Sequence, residues 1–101
     1  MANIVKNDKG FLVIEMTPNE AINVCNFGVY DSTDKQTYLI CDRCDKLLNF
    51  EEQVYYIAVL NYLVDKDCYN DWMSRAKRYT EDISYEEHFF NMYATKLALI
   101  R

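Results

Sequence analysis

Cys41-Asp-Arg-Cys44 and Asp65-Lys-Asp-Cys68 have the same internal spacing, and the gap between them is about what paired C-x2-C ribbons allow. Two thiolates two residues apart on a tight turn can reach one ion. A carboxylate can replace one of them, because Zn²⁺ accepts Cys sulfur at about 2.3 Å and Asp oxygen at about 2.0–2.2 Å. Cys41, Cys44, Asp65 and Cys68 are therefore expected to form a closed tetrahedral Zn²⁺ site. The competing possibility is a small unstapled domain whose thiols are merely buried apolar groups. The polar run Cys-Asp-Arg-Cys-Asp-Lys argues against it, since buried apolar cysteines are seldom flanked this way. Cys25 sits among apolar residues and reads as core.

The fourth ligand is the open point. Asp65 keeps the spacing, and Asp67 adjoins Cys68 too closely to share a tetrahedron with it. His88, the one histidine, is an alternative that would reach over from a C-terminal helix, and a water or another group is a third.

With 101 residues the chain has room for one core, so residues 1–101 are read as a single domain. Half the residues are hydrophobic and only 2 are Gly and 1 Pro, which argues against disorder, a linker or a loop-rich disulfide scaffold. The 9 tyrosines suit both a core rim and a half-wet contact surface. A net charge of −5 argues against direct nucleic-acid binding, which needs clustered Lys and Arg. The main basic run, Arg75-Ala-Lys77-Arg78, reads as one helical turn balanced by Glu81 and Asp82. Met1–Gly10 carries no apolar h-region, and the runs Phe11–Ile14 and Tyr55–Leu60 are too short to span a bilayer. The expectation is a cytoplasmic protein with no membrane contact, in a compartment where thiols stay reduced.

Local signals give an α+β class: a small antiparallel sheet, two zinc knuckles within about 38–79, and two to three helices. Phe11–Ile14 reads as a strand. Thr17-Pro18-Asn19-Glu20 combines N-cap, N1 proline and N3 glutamate at a helix start, and Gly28 is placed to stop that helix. Val29–Asp31 and Gln36–Ile40 flank the polar turn Ser32–Lys35 as a hairpin. Lys46–Glu52 reads as an exit loop. Val54–Leu60 and Tyr62–Val64 read as strands turned at Asn61. Tyr69, Trp72, Met73 and Ala76 mark one face of a helix over about 67–79. Ser84-Tyr-Glu-Glu87 reads as a capping box opening a last helix over about 84–99, whose apolar arc includes Phe89, Phe90, Tyr93, Leu97 and Ile100.

No catalytic set assembles from the sequence. The H-x-E with P-C-x-x-C of zinc deaminases and the H-E-x-x-H of zinc proteases are both missing. With Gly10 and Gly28 as the only glycines there is no phosphate loop, and no βαβ pattern surrounds the C-x-x-C to support thiol redox catalysis. The metal is thus expected to be structural and the protein not an enzyme.

The pairs at Cys41/Cys44 and Asp65/Cys68, with strands between and a helix after, look like half of a LIM or zinc-ribbon module over about Tyr38–Tyr79, departing from it at Asp65. That resemblance implies a protein–protein adaptor or transcription accessory. The size, acidity, tyrosine content and knuckle are also similar to phage-encoded anti-CRISPR proteins of the type II-A group. This second resemblance implies a stoichiometric inhibitor that binds a type II CRISPR RNA-guided nuclease and impedes target-DNA loading or cleavage. The implied partner is a protein with a basic surface, since such nucleases hold nucleic acid in a positive channel. Glu51, Glu52, Glu81, Asp82 and Tyr85 are the contact residues this would favour. Oligomeric state is left open.

Overall fold

Val13, Ile14 and Met16 are fully buried, and so are Val54, Tyr56 and Ile57. These two apolar runs pair antiparallel, Val13 opposite Ile57 and Met16 opposite Val54, at the centre of a four-stranded sheet. The computed structural model describes residues 1–99; Ile100, placed by pattern on the last apolar arc, lies outside them. In chain order the elements are β1 (Asn3–Val5), β2 (Val13–Met16), α1 (Pro18–Asn23), β3 (Val29–Asp31), β4 (Gln36–Tyr38), β5 (Val54–Ile57), β6 (Tyr62–Val64), α2 (Lys66–Arg75), a 3-10 turn (Thr80–Asp82) and α3 (Ile83–Lys96). The main sheet runs β1-β2-β5-β6, antiparallel throughout, and β3-β4 form a separate hairpin. This is the expected α+β class in one compact body, with a radius of gyration of 13.5 Å, close to the ~13 Å of a compact 100-residue domain.

Every residue of β5 is buried, so both sheet faces are covered. Neighbouring strand residues point to opposite faces. Tyr55 stacks on Tyr69 of α2, with ring centroids 4.8 Å apart. Tyr56 meets Tyr93 of α3 edge-on at 4.6 Å. The two helices thus flank the sheet on opposite sides. The Asn61 turn between β5 and β6 adopts φ +56°, a left-handed conformation Asn tolerates; the Asn61 side chain also accepts from Tyr56 Oη at 2.6 Å. Among the described residues no helix is long and apolar enough to cross a membrane.

Several local expectations shift. The Phe11–Ile14 strand begins two residues later: Phe11 leaves the sheet to pack on Trp72, centroids 4.7 Å apart, and the Leu12 N–H donates to Glu86 Oε2 at 3.0 Å. The N-terminal segment, for which the sequence suggests no element, supplies edge strand β1, with Ile4 opposite Ile14. The Thr17–Glu20 capping box forms in both directions, Glu20 N–H to Thr17 Oγ1 at 3.1 Å and Thr17 N–H to Glu20 Oε1 at 2.9 Å. Gly28 does not stop α1, which has already ended; the chain turns through Asn26 at φ +60°. Gly28 instead enters β3 at φ +111°, where a Cβ would lie 2.8 Å from Thr37 Cγ2 and 3.1 Å from the Tyr38 carbonyl.

The helix expected over 67–79 runs 66–75. Lys9 Nζ donates to the carbonyls of Met73 and Ala76 at 2.6 and 2.8 Å, satisfying the open C-terminal end. Arg75, Lys77 and Arg78 therefore do not share a helical turn. The Ser84–Glu87 capping box does not form. The helix has already begun at Ile83 behind Asp82, which makes no side-chain cap, and Glu86 turns inward instead.

Candidate metal centre

The first half of the centre is a turn at the mouth of a short two-stranded extension. Ile40 bridges antiparallel to Leu47, and Leu48 N–H donates to Leu39 O at 2.8 Å. Between them Cys41 N–H donates to Lys46 O and Asp45 N–H to Cys41 O, both at 2.8 Å. Closing so tight a turn puts Asp45 at φ +63°, a left-handed conformation that Asp adopts more readily than most residues. The Cys41 sulfur lies in this turn where the backbone N–H groups of Cys44, Asp65 and Arg43 favour its ionised form.

The second half is not a turn but a helix start. Asp65 is the N-cap of α2, its Oδ1 accepting from Cys68 N–H at 2.7 Å. Cys68 therefore occupies the third helical position, at the positive end of the helix. Asp42, inside the first turn, holds the two halves together. Its N–H donates to Leu63 O at 2.9 Å, and its Oδ2 accepts from Leu63 N–H at 2.8 Å. Leu63 lies on β6, two residues before Asp65.

One ligand atom from each of Cys41, Cys44, Asp65 and Cys68 lies within 4.8 Å of the others, a grouping able to hold a metal ion. The Cys44 sulfur is 3.5 Å from Asp65 Oδ2. Sulfurs each about 2.3 Å from a tetrahedral Zn²⁺ sit ~3.8 Å apart, so binding asks for a small contraction. Cys41 is buried, Cys68 half-buried and Cys44 exposed. The structure thus brings together the four residues singled out by spacing. His88 and Asp67 are exposed and lie outside this group, and His88 instead sets its ring against Phe89 at 5.2 Å. Cys25 is also outside, in the core, its thiol pushed up to about 11 by burial.

Four potential anions share this small volume, and the cost of crowding them falls on Cys68. Burial pushes Cys68 up to about 12, helped by the adjacent Cys44 and Cys41 sulfurs. Burial also opposes ionisation of Cys41, but donation from the Cys44, Asp65 and Arg43 N–H groups outweighs it and leaves that thiol below its ordinary value. Asp65 is likewise lowered: burial works against its charge, and the Cys68 N–H and the neighbouring thiols overcome it. A divalent cation removes the conflict, because it favours the deprotonated form of every ligand at once. Arg43 adds a fixed positive charge. It pairs with Asp71 of α2 at 2.6 Å, and the Cys68 sulfur is close enough to contribute to the raised pKa of Arg43. Asp71 in turn binds Arg75 at 2.6 Å.

Sequence reading passed over the supporting residues Asp42, Asp45, Arg43 and Asp71, and the capping role of Asp65. Two signals for them were present: Asp directly after the second thiol, and Asp three residues before Cys68 at a helix start. Comparison with models of known families, with curated protein sequences and with solved structures gave no match.

The two oxygens of Asp65 have separable jobs, and substitutions should separate them. Asp65→Asn keeps an oxygen for the Cys68 N–H but loses the charged oxygen facing Cys44. It is expected to retain α2 while weakening metal affinity by at least ~10–100-fold, the scale for losing even a group that only orients a ligand. Asp65→Ala loses both functions and costs a further ~1 kcal/mol for the cap. Chelator competition reads the first effect and urea unfolding of the metal-free proteins the second.

Proposed function

We propose that this centre holds one Zn²⁺ as a closed structural site and that the chain acts by stoichiometric protein binding, without catalysing a reaction. The supporting observation is the convergence of four ligand atoms within 4.8 Å from a tight turn and a helix start. Three sulfurs favour a borderline-soft ion over Mg²⁺ or Ca²⁺, which take oxygen. Four protein ligands fill a tetrahedron and leave no position for substrate, the mark of structural rather than catalytic zinc. Zn²⁺ with three thiolates and one carboxylate is anionic overall, and the Arg43 guanidinium beside Cys68 offsets part of that charge. Native mass spectrometry and elemental analysis should find about one zinc per chain. Protein lacking zinc that refuses added zinc and melts unchanged in chelator would overturn the reading.

The net charge of −5 favours a partner with a basic surface, and the narrower proposal is that this partner is a type II RNA-guided nuclease. Pre-incubating such nucleases with the protein should reduce DNA cleavage in proportion to the amount added, without turnover. Raising salt should relieve the block, because exposed charges are screened within about 8–10 Å at 0.1–0.15 M. Full cleavage at large excess across several type II nucleases would discard that partner and leave the adaptor role as the form of the binding reading.

A further inference from the structure

Leu47 is 67% exposed, three residues beyond the metal-binding turn, and three hollows meet at it. On one side Val29, Tyr30, Tyr38 and Ile40 wall an apolar hollow that Leu47 completes. Leu39, Leu48 and Phe50 form the next, of about 400 Å³, again shared with Leu47 and Tyr38. Tyr30, Val29 and Phe50 are also well exposed, at 63%, 57% and 48%. Apolar side chains gathered in this way mark an interaction surface rather than scattered surface variation.

The third hollow differs in chemistry. It is a cleft of about 530 Å³ that begins at Leu47 and Leu48 and ends at Asp65. Glu15, Glu52 and Asp67 line it with Asp65, outnumbering Lys46 and Lys66. Gln53 is also on its wall, and among the described residues the Gln53 Oε1 is shielded from solvent without a hydrogen-bond partner. A buried carbonyl oxygen normally finds a donor. The carboxylates on the cleft wall call for a group that is cationic and rich in N–H donors, and guanidinium offers five in a planar fork.

We propose that the Leu47 face is the docking surface of this protein, and that it takes a short segment of a partner protein carrying an apolar side chain close to an arginine. The apolar residue fills the hollow beside Leu47, and the arginine enters the cleft to pair with Glu52. A second copy of the chain fits poorly, because each carries a net charge of −5 and like charges facing each other oppose association. Arginine and the large aromatic residues are also the side chains that dominate binding energy at protein interfaces. The return strand bearing Leu47 begins at the metal-binding turn, so metal loading fixes this surface in place. This inference rests on the reading of the chain as a binding protein and names where and what it binds.

The test is selection from a random dodecapeptide display library on the zinc-loaded protein, followed by anisotropy with the selected peptides. Enriched sequences should place an apolar residue within about three positions of an arginine. Leu47→Asp and Glu52→Arg should each weaken their binding at least tenfold. Both positions are exposed, and thermal melts with zinc content confirm that each variant stays folded; should Leu47→Asp misfold, Glu52→Arg still decides the outcome. Failure to enrich any peptide, enrichment of acidic or arginine-free peptides, or equal binding by folded variants overturns the proposal. So does sedimentation showing a dimer that Leu47→Asp dissolves. Peptides that bind both variants as well as the parent would refute this surface and leave the binding role standing, whereas zinc content on the same samples tests the centre by itself.

Discussion

Cys41→Ser is expected to abolish stoichiometric zinc and to lower the thermal midpoint by roughly 15–30 °C relative to the zinc-loaded parent. The size follows from linkage: free metal a thousandfold above its dissociation constant stabilises the folded state by about 4 kcal/mol, and a domain of this length shifts by ~4–8 °C per kcal/mol. Structural zinc in finger peptides contributes more, about 10–16 kcal/mol, because those chains have no other core. Here Val13, Ile14, Tyr56 and Ile57 are fully buried in the main sheet, outside the turn that carries Cys41 and Cys44. The metal-free chain should therefore keep the sheet and its helices and lose order around 39–48. Cys41 is the candidate ligand to change because it is fully buried and its surroundings favour the thiolate; serine there is a shorter side chain whose hydroxyl does not ionise to bind zinc. Chelator added to the parent should reproduce the shift, and Cys25→Ala should cost packing without releasing metal. A parent whose melt ignores chelator, with Cys41→Ser melting alongside it, would show that the four groups cluster without a metal.

The features legible in the sequence are those encoded within a few residues. The x2 spacing of Cys41/Cys44 and Asp65/Cys68, the Thr17–Glu20 box, the 32–35 turn and Asn61 each specify a local geometry without reference to the rest of the chain. What escaped depends on distant partners. β1 is three residues, Asn3–Val5, with a weak pattern of its own; it forms because β2 offers an open edge and Glu15 accepts from Asn3 Nδ2 at 2.9 Å. Asp65 was legible as a candidate ligand by spacing, yet its capping bond to Cys68 needed the helix start placed at 66 rather than 67. The Ser84–Glu87 box satisfies the local rule and still does not form, because a tertiary demand on Glu86 overrides it. That residue lies four and eight positions before Phe90 and Ala94, the other buried residues of α3, so its place on the inner face was readable from helical spacing.

Glu86→Ala is expected to destabilise the protein by about 3 kcal/mol, the lower end of the ~3–5 kcal/mol seen when one partner of a buried ion pair is removed. Glu86 is 1% exposed. Its Oε1 accepts from Arg78 Nη1 at 2.6 Å and its Oε2 from Leu12 N–H at 3.0 Å. One carboxylate thus ties α3 to the entry of β2 and to the segment leaving α2. Truncation leaves a guanidinium without its counter-charge over the Phe11 ring, 5.5 Å from its centroid, and leaves the Leu12 N–H unpaired. The lower end applies because Arg78 keeps 30% of its side chain accessible and can recover some solvation. Glu86→Gln retains an acceptor and should cost less, about 1–2 kcal/mol, since mainly the charge-assisted part of the Arg78 bond is lost. Removing Arg78 as well should recover its share but not that of Leu12. The double variant Arg78→Leu with Glu86→Leu is therefore expected to fall between Glu86→Ala and the parent in urea unfolding. If Glu86→Ala costs under ~1 kcal/mol, the range for an exposed pair, water has access to this contact and the carboxylate is not what fixes α3 against the sheet.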